Sequence, residues 1–108
     1  MSEGTGFVVV LVTASDAGEA ESIAATLVEE QLAACVNVIP ACRSIYRWEG
    51  KLQRDDEVLM IIKSRRDRFA RLETRVRELH SYDVPEVIAL DIAASSRGYL
   101  EFLFDRLP

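Results

Sequence analysis

Phe7-Val8-Val9-Val10-Leu11-Val12-Thr13 is the stretch on which the fold turns. It is rich in β-branched side chains and apolar at every position from Phe7 to Val12. Such a run has no polar alternation, so it reads as a strand with both faces covered. Immediately after it, Asp16 is followed three residues later by Glu19, the pattern of a capping box that opens a helix. Ala20, Ile23, Ala24, Leu27, Val28 and Leu32 then recur at helical spacing and predict one buried stripe. Glu19, Glu21, Glu29 and Glu30 supply the wet side.

Beyond this helix the pattern turns strand-like again from Cys35, through Val36, Val38 and Ile39 to Ile45, Tyr46 and Trp48. Pro40 interrupts it and donates no ladder hydrogen bond, so a bulge or a free edge is expected there. Trp48-Glu49-Gly50-Lys51 predicts a hairpin turn, with Gly50 placing it. The return strand runs from about Leu52 to Ser64, centred on Val58-Leu59-Met60-Ile61-Ile62. A second helix is expected over residues 66–80, with Phe69, Leu72, Val76 and Leu79 on one face. Tyr82-Asp83-Val84-Pro85 ends it, a fourth strand follows from Glu86 to Ala93, and a last helix runs from Ser95 or Ser96 to Arg106. That helix is expected to bury Tyr99, Leu100, Leu103 and Phe104. The order is β-α-β-β-α-β-α. A βαβ unit duplicated about a hairpin gives an α+β, ferredoxin-like domain: a four-stranded antiparallel sheet with two helices on one face.

The other face would meet water in a monomer, yet neither Phe7–Val12 nor Val58–Ile62 alternates. Each exposed aliphatic side chain forgoes roughly 1.5–3 kcal/mol of burial, so on the order of 10 kcal/mol is available to association before ordering costs. A homo-oligomer packed through the open sheet faces is therefore expected. The alternative is a third helix curling under the sheet.

The 108 residues suit a single domain, residues 1–108, and a small core gains from association. Apolar residues make up 49% and charged residues 29%, an ordinary globular profile. The net charge of −5 argues against general nucleic-acid binding. No apolar run approaches the roughly 20 residues of a membrane span. Met1 to Gly6 lacks a basic leader, and Cys35 and Cys42 fit a reducing compartment, so a cytoplasmic location is expected. The basic run Lys63, Arg65, Arg66, Arg68, Arg71, Arg75 and Arg77 reads as a solvated helix face. No Gly-rich phosphate loop follows the first strand, and the lone histidine has no nucleophile beside it in sequence, so no enzyme activity is expected.

Leu32-Ala33-Ala34-Cys35-Val36-Asn37, Tyr46-Arg47-Trp48-Glu49-Gly50 and His80-Ser81-Tyr82-Asp83-Val84-Pro85-Glu86 together carry a further signal. With Glu57 and Lys63 between them, this series resembles the CutA divalent-cation tolerance family, over Phe7 to about Phe104. The resemblance implies a compact homotrimer built by edge-to-edge strand extension and similar to the PII signalling proteins, which bind small molecules between subunits. It also implies a connection to divalent metals, copper in particular, with no required cofactor and no established catalysis. Where some members carry a second histidine and a first-strand cysteine, this chain has Leu79 and Val12.

Three residues are the metal candidates: His80, Cys35 and Glu86. Imidazole and a soft thiol both suit copper. His80 equally suits a helix C-terminus, and Cys35 a small buried position. Cys42 lies an odd number of residues from Cys35, on the other face of a regular strand. Tyr46, Trp48, Glu57, Lys63 and Tyr82 are the candidates for a small-ligand groove between subunits, where aromatic rings meet a few convergent charges. Two other readings stand beside metal response: a PII-like trimer binding a small anion through Lys63 and nearby arginines, and a scaffolding trimer.

Overall fold

The computed structural model describes residues 4–108; Met1–Glu3, the start of the segment read above for a leader, lie outside it. The elements are β1 (Phe7–Ala14), α1 (Ala17–Glu29), β2 (Cys35–Trp48), β3 (Lys51–Arg65), α2 (Phe69–Leu79, entered through a 3-10 turn at Arg66–Arg68), β4 (Ile88–Asp91) and α3 (Arg97–Arg106). The strands form one antiparallel sheet in the order β2-β3-β1-β4. This is the ferredoxin-like order expected of a duplicated βαβ unit.

Alternation along the central strands sorts their side chains. Val8, Val10, Val12 and Ala14 of β1 and Val58, Met60 and Ile62 of β3 are buried. They join Ala20, Ile23, Ala24 and Leu27 of α1 and Leu72 and Val76 of α2 in the main core. The first helix begins as its sequence predicts: the Asp16 carboxylate accepts the Glu19 N–H at 2.8 Å. Val28 departs from the predicted stripe, being 43% exposed because it falls at the edge of the buried face in the last turn.

The opposite face is only partly covered. Phe7, Leu103, Leu107 and Ala34 form a second buried cluster, and the Phe7 and Phe104 rings meet edge to face at 5.1 Å. Thus α3 packs against the Phe7 end of the face that α1 and α2 leave free. Coverage stops there. Val9, Leu11, Leu59 and Ile61 are half-buried, and Ile88 and Leu90 on β4 are exposed. Tyr99 and Phe104 also stay largely exposed, so only Leu103 of the predicted α3 set is fully buried. The fourth strand is shorter than predicted, with Glu86 and Val87 outside it, because only Val8 to Leu11 of β1 pair with it.

Two local predictions concern the β2–β3 hairpin. Its register shifts between Ile39 and Cys42, around Pro40, with Ala41 at φ +64°. Its turn holds Glu49 at φ +49° and Gly50 at φ +76°, the paired left-handed residues of a tight two-residue turn. The hairpin outruns the sheet. The last β1–β3 pair is Ala14 with Val58, whereas β2 and β3 continue to pair out to Trp48 with Lys51. In this arm Ile45, Trp48 and Leu52 are 60%, 62% and 57% exposed.

Glu19 ties the start of α1 to the turn after α2. One carboxylate oxygen accepts the Ser15 N–H and hydroxyl, and the other accepts the Ser81 N–H at 2.7 Å. Burial alone would raise its pKa, but the hydrogen bonds from Ser81 and Ser15 override that and hold it at about 2, below the ordinary 4.5. A depressed carboxyl pKa stabilises the fold fully above its unfolded value and loses that contribution as the pH falls towards 2. Glu19→Gln is expected to lower unfolding free energy by about 1–2 kcal/mol at pH 7, with the gap from wild type closing below about pH 4, measured by urea titration. In the same assay Leu27→Ala should lose about 2–5 kcal/mol and Val28→Ala less than about 1 kcal/mol.

Candidate functional site: an acidic, aromatic cleft at the root of the hairpin arm

His80 caps the C-terminus of α2, its N–H donating to the Val76 carbonyl at 2.9 Å. Its side chain is fully buried. Nε2 lies 2.7 Å from the Thr13 carbonyl oxygen, and Nδ1 accepts the Tyr82 N–H at 3.0 Å. A carbonyl on one nitrogen and an N–H on the other select the neutral Nε2–H tautomer. Neither nitrogen then offers a free lone pair to a metal. His80 stands at the C-cap position through its backbone, while its ring bonds Thr13 and Tyr82 and not the last carbonyls of α2.

The other two metal candidates lie elsewhere. Cys35 pairs with Lys63, which pairs with Val9. It is therefore four residues along the sheet from Thr13, or about 13 Å. There it sits beside Tyr99, whose hydroxyl is raised by burial and by the neighbouring Cys35 thiol. Glu86 is exposed and lines a cleft. His80, Cys35 and Glu86 thus do not converge on one point; among the described residues no group of three His, Cys, Asp or Glu side chains is placed to hold a metal ion. The bulge does bring Cys42 to the same face as Cys35. Their β3 partners, Glu57 and Lys63, are six residues apart, about 20 Å, so the thiols cannot share a ligand.

The predicted groove residues fare differently. Beyond the end of β1, alternation points Tyr46 and Trp48 of β2 and Asp55 and Glu57 of β3 to one side of the arm. The turn after His80 brings up Tyr82 and Val84. With Thr13 and Glu86 they line a cleft of about 460 Å³. Tyr46, Trp48, Glu57 and Tyr82 are thereby gathered, while Lys63 is not: its ammonium bonds the Asn37 side chain, at the other end of the face. Asp55 was missed in the sequence, although its two-residue spacing from Glu57 on a strand marks it as a neighbour.

Among the described residues, three carboxylates and no Lys, Arg or His line the cleft. The Tyr82 hydroxyl donates to Glu57 at 2.7 Å, and the Tyr46 hydroxyl donates to Asp55. Burial and then the bond to Glu57 raise the Tyr82 pKa; the bond to Asp55 is the largest cause of the rise at Tyr46. Both phenols stay protonated donors. Meanwhile the basic run is spent elsewhere. Arg65 pairs with Asp67 at 2.8 Å, Arg66 with Asp91 at 2.6 Å, Arg75 with Glu30 at 2.8 Å, and Arg77 with Glu73. Arg68 donates to the carbonyls of Gln31 and Pro108. Four of these arginines have carboxylate partners and Lys63 holds an amide oxygen, while the cleft itself repels anions.

The comparisons with known proteins agree with this architecture. The CutA1 divalent ion tolerance protein family matches residues 8–106. The divalent-cation tolerance protein CutA of Thermus thermophilus is 48% identical over 95 residues, covering 88% of this chain and 92% of the relative. The chloroplastic CutA protein of Arabidopsis thaliana is 48% identical over 96 residues, and there the chain spans 53% of the relative's length. A solved structure of the Thermus thermophilus divalent cation tolerance protein superposes with a TM-score of 0.90 at 45% identity, covering 94% of this chain and 99% of that one. CutA1 from Oryza sativa gives 0.91 at 43% identity, covering 94% of each chain. With the family matched along almost its whole length and the fold shared by these structures, the chain belongs to the CutA divalent-cation tolerance family.

Proposed function

We propose that this divalent-cation tolerance protein works as a non-catalytic homotrimer whose subunits join edge to edge and carry small-ligand clefts at the roots of their hairpin arms. The observation that carries the proposal is the arm itself. Among the described residues no third strand lies beside it from Cys42 to Glu57, and none buries its exposed Ile45, Trp48 and Leu52. Two sheet edges are also free, the outer sides of β2 and β4. Unpaired edges recruit strands. Pairing β2 of one copy with β4 of the next is a head-to-tail contact, which closes into a ring when the rotation permits. The expected extension of the fourth strand to Glu86 fits such a contact, because a new neighbour would lengthen β4. The number three comes from the family resemblance.

The metal relation belongs to the family's function, and copper is part of this proposal without a preformed site. The two hydrogen bonds of the His80 ring argue for leaving it out of the copper reading. A cytoplasmic location is likewise proposed, in keeping with two free cysteines. Relatives are named for different places: one is chloroplastic, and a solved structure from Archaeoglobus fulgidus is called periplasmic. Among the described residues no helix is long and apolar enough to cross a membrane.

Sedimentation equilibrium should give a mass about three times the 12.1 kDa of the chain, and an Ile45→Asp, Trp48→Asp double variant should shift towards smaller species. A wild-type protein that stays at 12.1 kDa across micromolar concentrations contradicts the assembly. In calorimetric titrations with Cu(II), His80→Ala should match the wild type in affinity while losing about 2–4 kcal/mol of stability, since a buried carbonyl and N–H lose their partners. A drop in copper affinity in the variant would restore His80 as a ligand.

A further inference from the structure

We propose that the cleft at the root of the arm binds an organic ammonium ion, held between the rings of Tyr46, Trp48 and Tyr82 and the carboxylates of Asp55, Glu57 and Glu86. This deepens, and rests on, the reading of the cleft as a small-ligand site of the trimer.

The first argument is charge. Several carboxylates elsewhere are matched locally: Glu30, Asp67, Glu73 and Asp91 each pair with an arginine. In the cleft, three carboxylates face one cavity without a cationic neighbour in its lining. Two are oriented, since a tyrosine hydroxyl holds one oxygen of Asp55 and one of Glu57. The second oxygen of each, and both oxygens of Glu86, take no hydrogen bond from the described residues. A cleft that gathers like charges and leaves their outward oxygens open is complementary to a cation.

The second argument is size and shape. The carboxylates surround a cavity of about 460 Å³, and no three of them close round a point as a metal ion requires. A cation with its charge carried on an organic body spans that distance, and the volume lies in the range of small-ligand sites. The third argument is the walls. Three aromatic rings and Val84 share the cavity with the acids. Aromatic faces attract ammonium groups, Trp most strongly, while inorganic divalent ions stay hydrated and gain little from them. Ring plus carboxylate is the pairing that recognises an amine. Lys51, cross-strand from Trp48 at the arm's tip, is the nearest cation on that side of the hairpin and lies outside the lining.

Trp48 is the only tryptophan, so its fluorescence reports on this cleft. The full-length protein at low salt is titrated with spermidine, with tetramethylammonium, with citrate and with Mg²⁺. Saturable fluorescence changes are expected with both organic cations and not with citrate or Mg²⁺. An Asp55→Asn, Glu57→Gln double variant should weaken them about tenfold or more. Glu101→Gln, on α3 and paired with Arg97, should leave them unchanged. Sedimentation of the same samples separates the two ideas. A trimer that gives no saturable change, or whose double variant binds as well as wild type, overturns the ammonium site alone. Tighter binding of Mg²⁺ through the same two residues also overturns it. A monomer that still binds upholds the site and overturns the assembly, and a monomer that does not bind overturns both.

Discussion

The hairpin formed by β2 and β3 is longer than the sheet that supports it, and most of the molecule's character follows from that mismatch. Its strands run to 14 and 15 residues, against 8 in β1 and 4 in β4. Up to the Ala14–Val58 pair, the hairpin lies on the helices and shares their core. Past that point the described residues place neither a helix beneath it nor a strand beside it. A two-stranded ribbon is marginal in water on its own. Here it is held by ladder bonds, a tight turn at Glu49-Gly50 and one Arg43–Asp56 ion pair at 3.0 Å, which is exposed and contributes little. In the proposed assembly, burial by other copies would supply what the protomer lacks.

The same mismatch creates the cleft. Where β1 stops, the hairpin continues and the turn after α2 folds back against it, leaving a hollow floored by Thr13 and flanked by Tyr46, Trp48 and Tyr82. His80 builds this corner: its ring bridges the Thr13 carbonyl and the Tyr82 N–H, and packs on the Tyr82 ring with centroids 4.6 Å apart. Glu19 secures the adjoining Ser81. A histidine with the chemistry of a ligand is thus a structural strut, and its position matters to the cleft through Tyr82.

Features set by neighbours in sequence were legible in it. The Asp16 cap, the disruption at Pro40, the turn at Gly50 and the period of each helix depend on backbone geometry within a few residues. Groove residues were legible because strand alternation gathers Tyr46, Trp48 and Glu57 on one side once the hairpin is known. What was not legible depended on contacts distant in the chain. The continuous apolar run of β1 pointed to an open face, but nothing in it told that α3 would return to cover Phe7. The partners of His80 are 67 residues away at Thr13 and 2 residues away at Tyr82, and only the fold joins them. Lys63 shares the groove's strand face, yet stands six residues along β3 from Glu57, too far to reach the cleft.

The central claim is that association is part of folding, because the arm and the open sheet face are completed only by other copies. The most direct measurement is the urea midpoint of unfolding over a hundredfold range of protein concentration. Unfolding coupled to dissociation predicts a midpoint that rises steadily with concentration. A midpoint that does not move, with full secondary structure retained at the lowest concentration, would contradict the account.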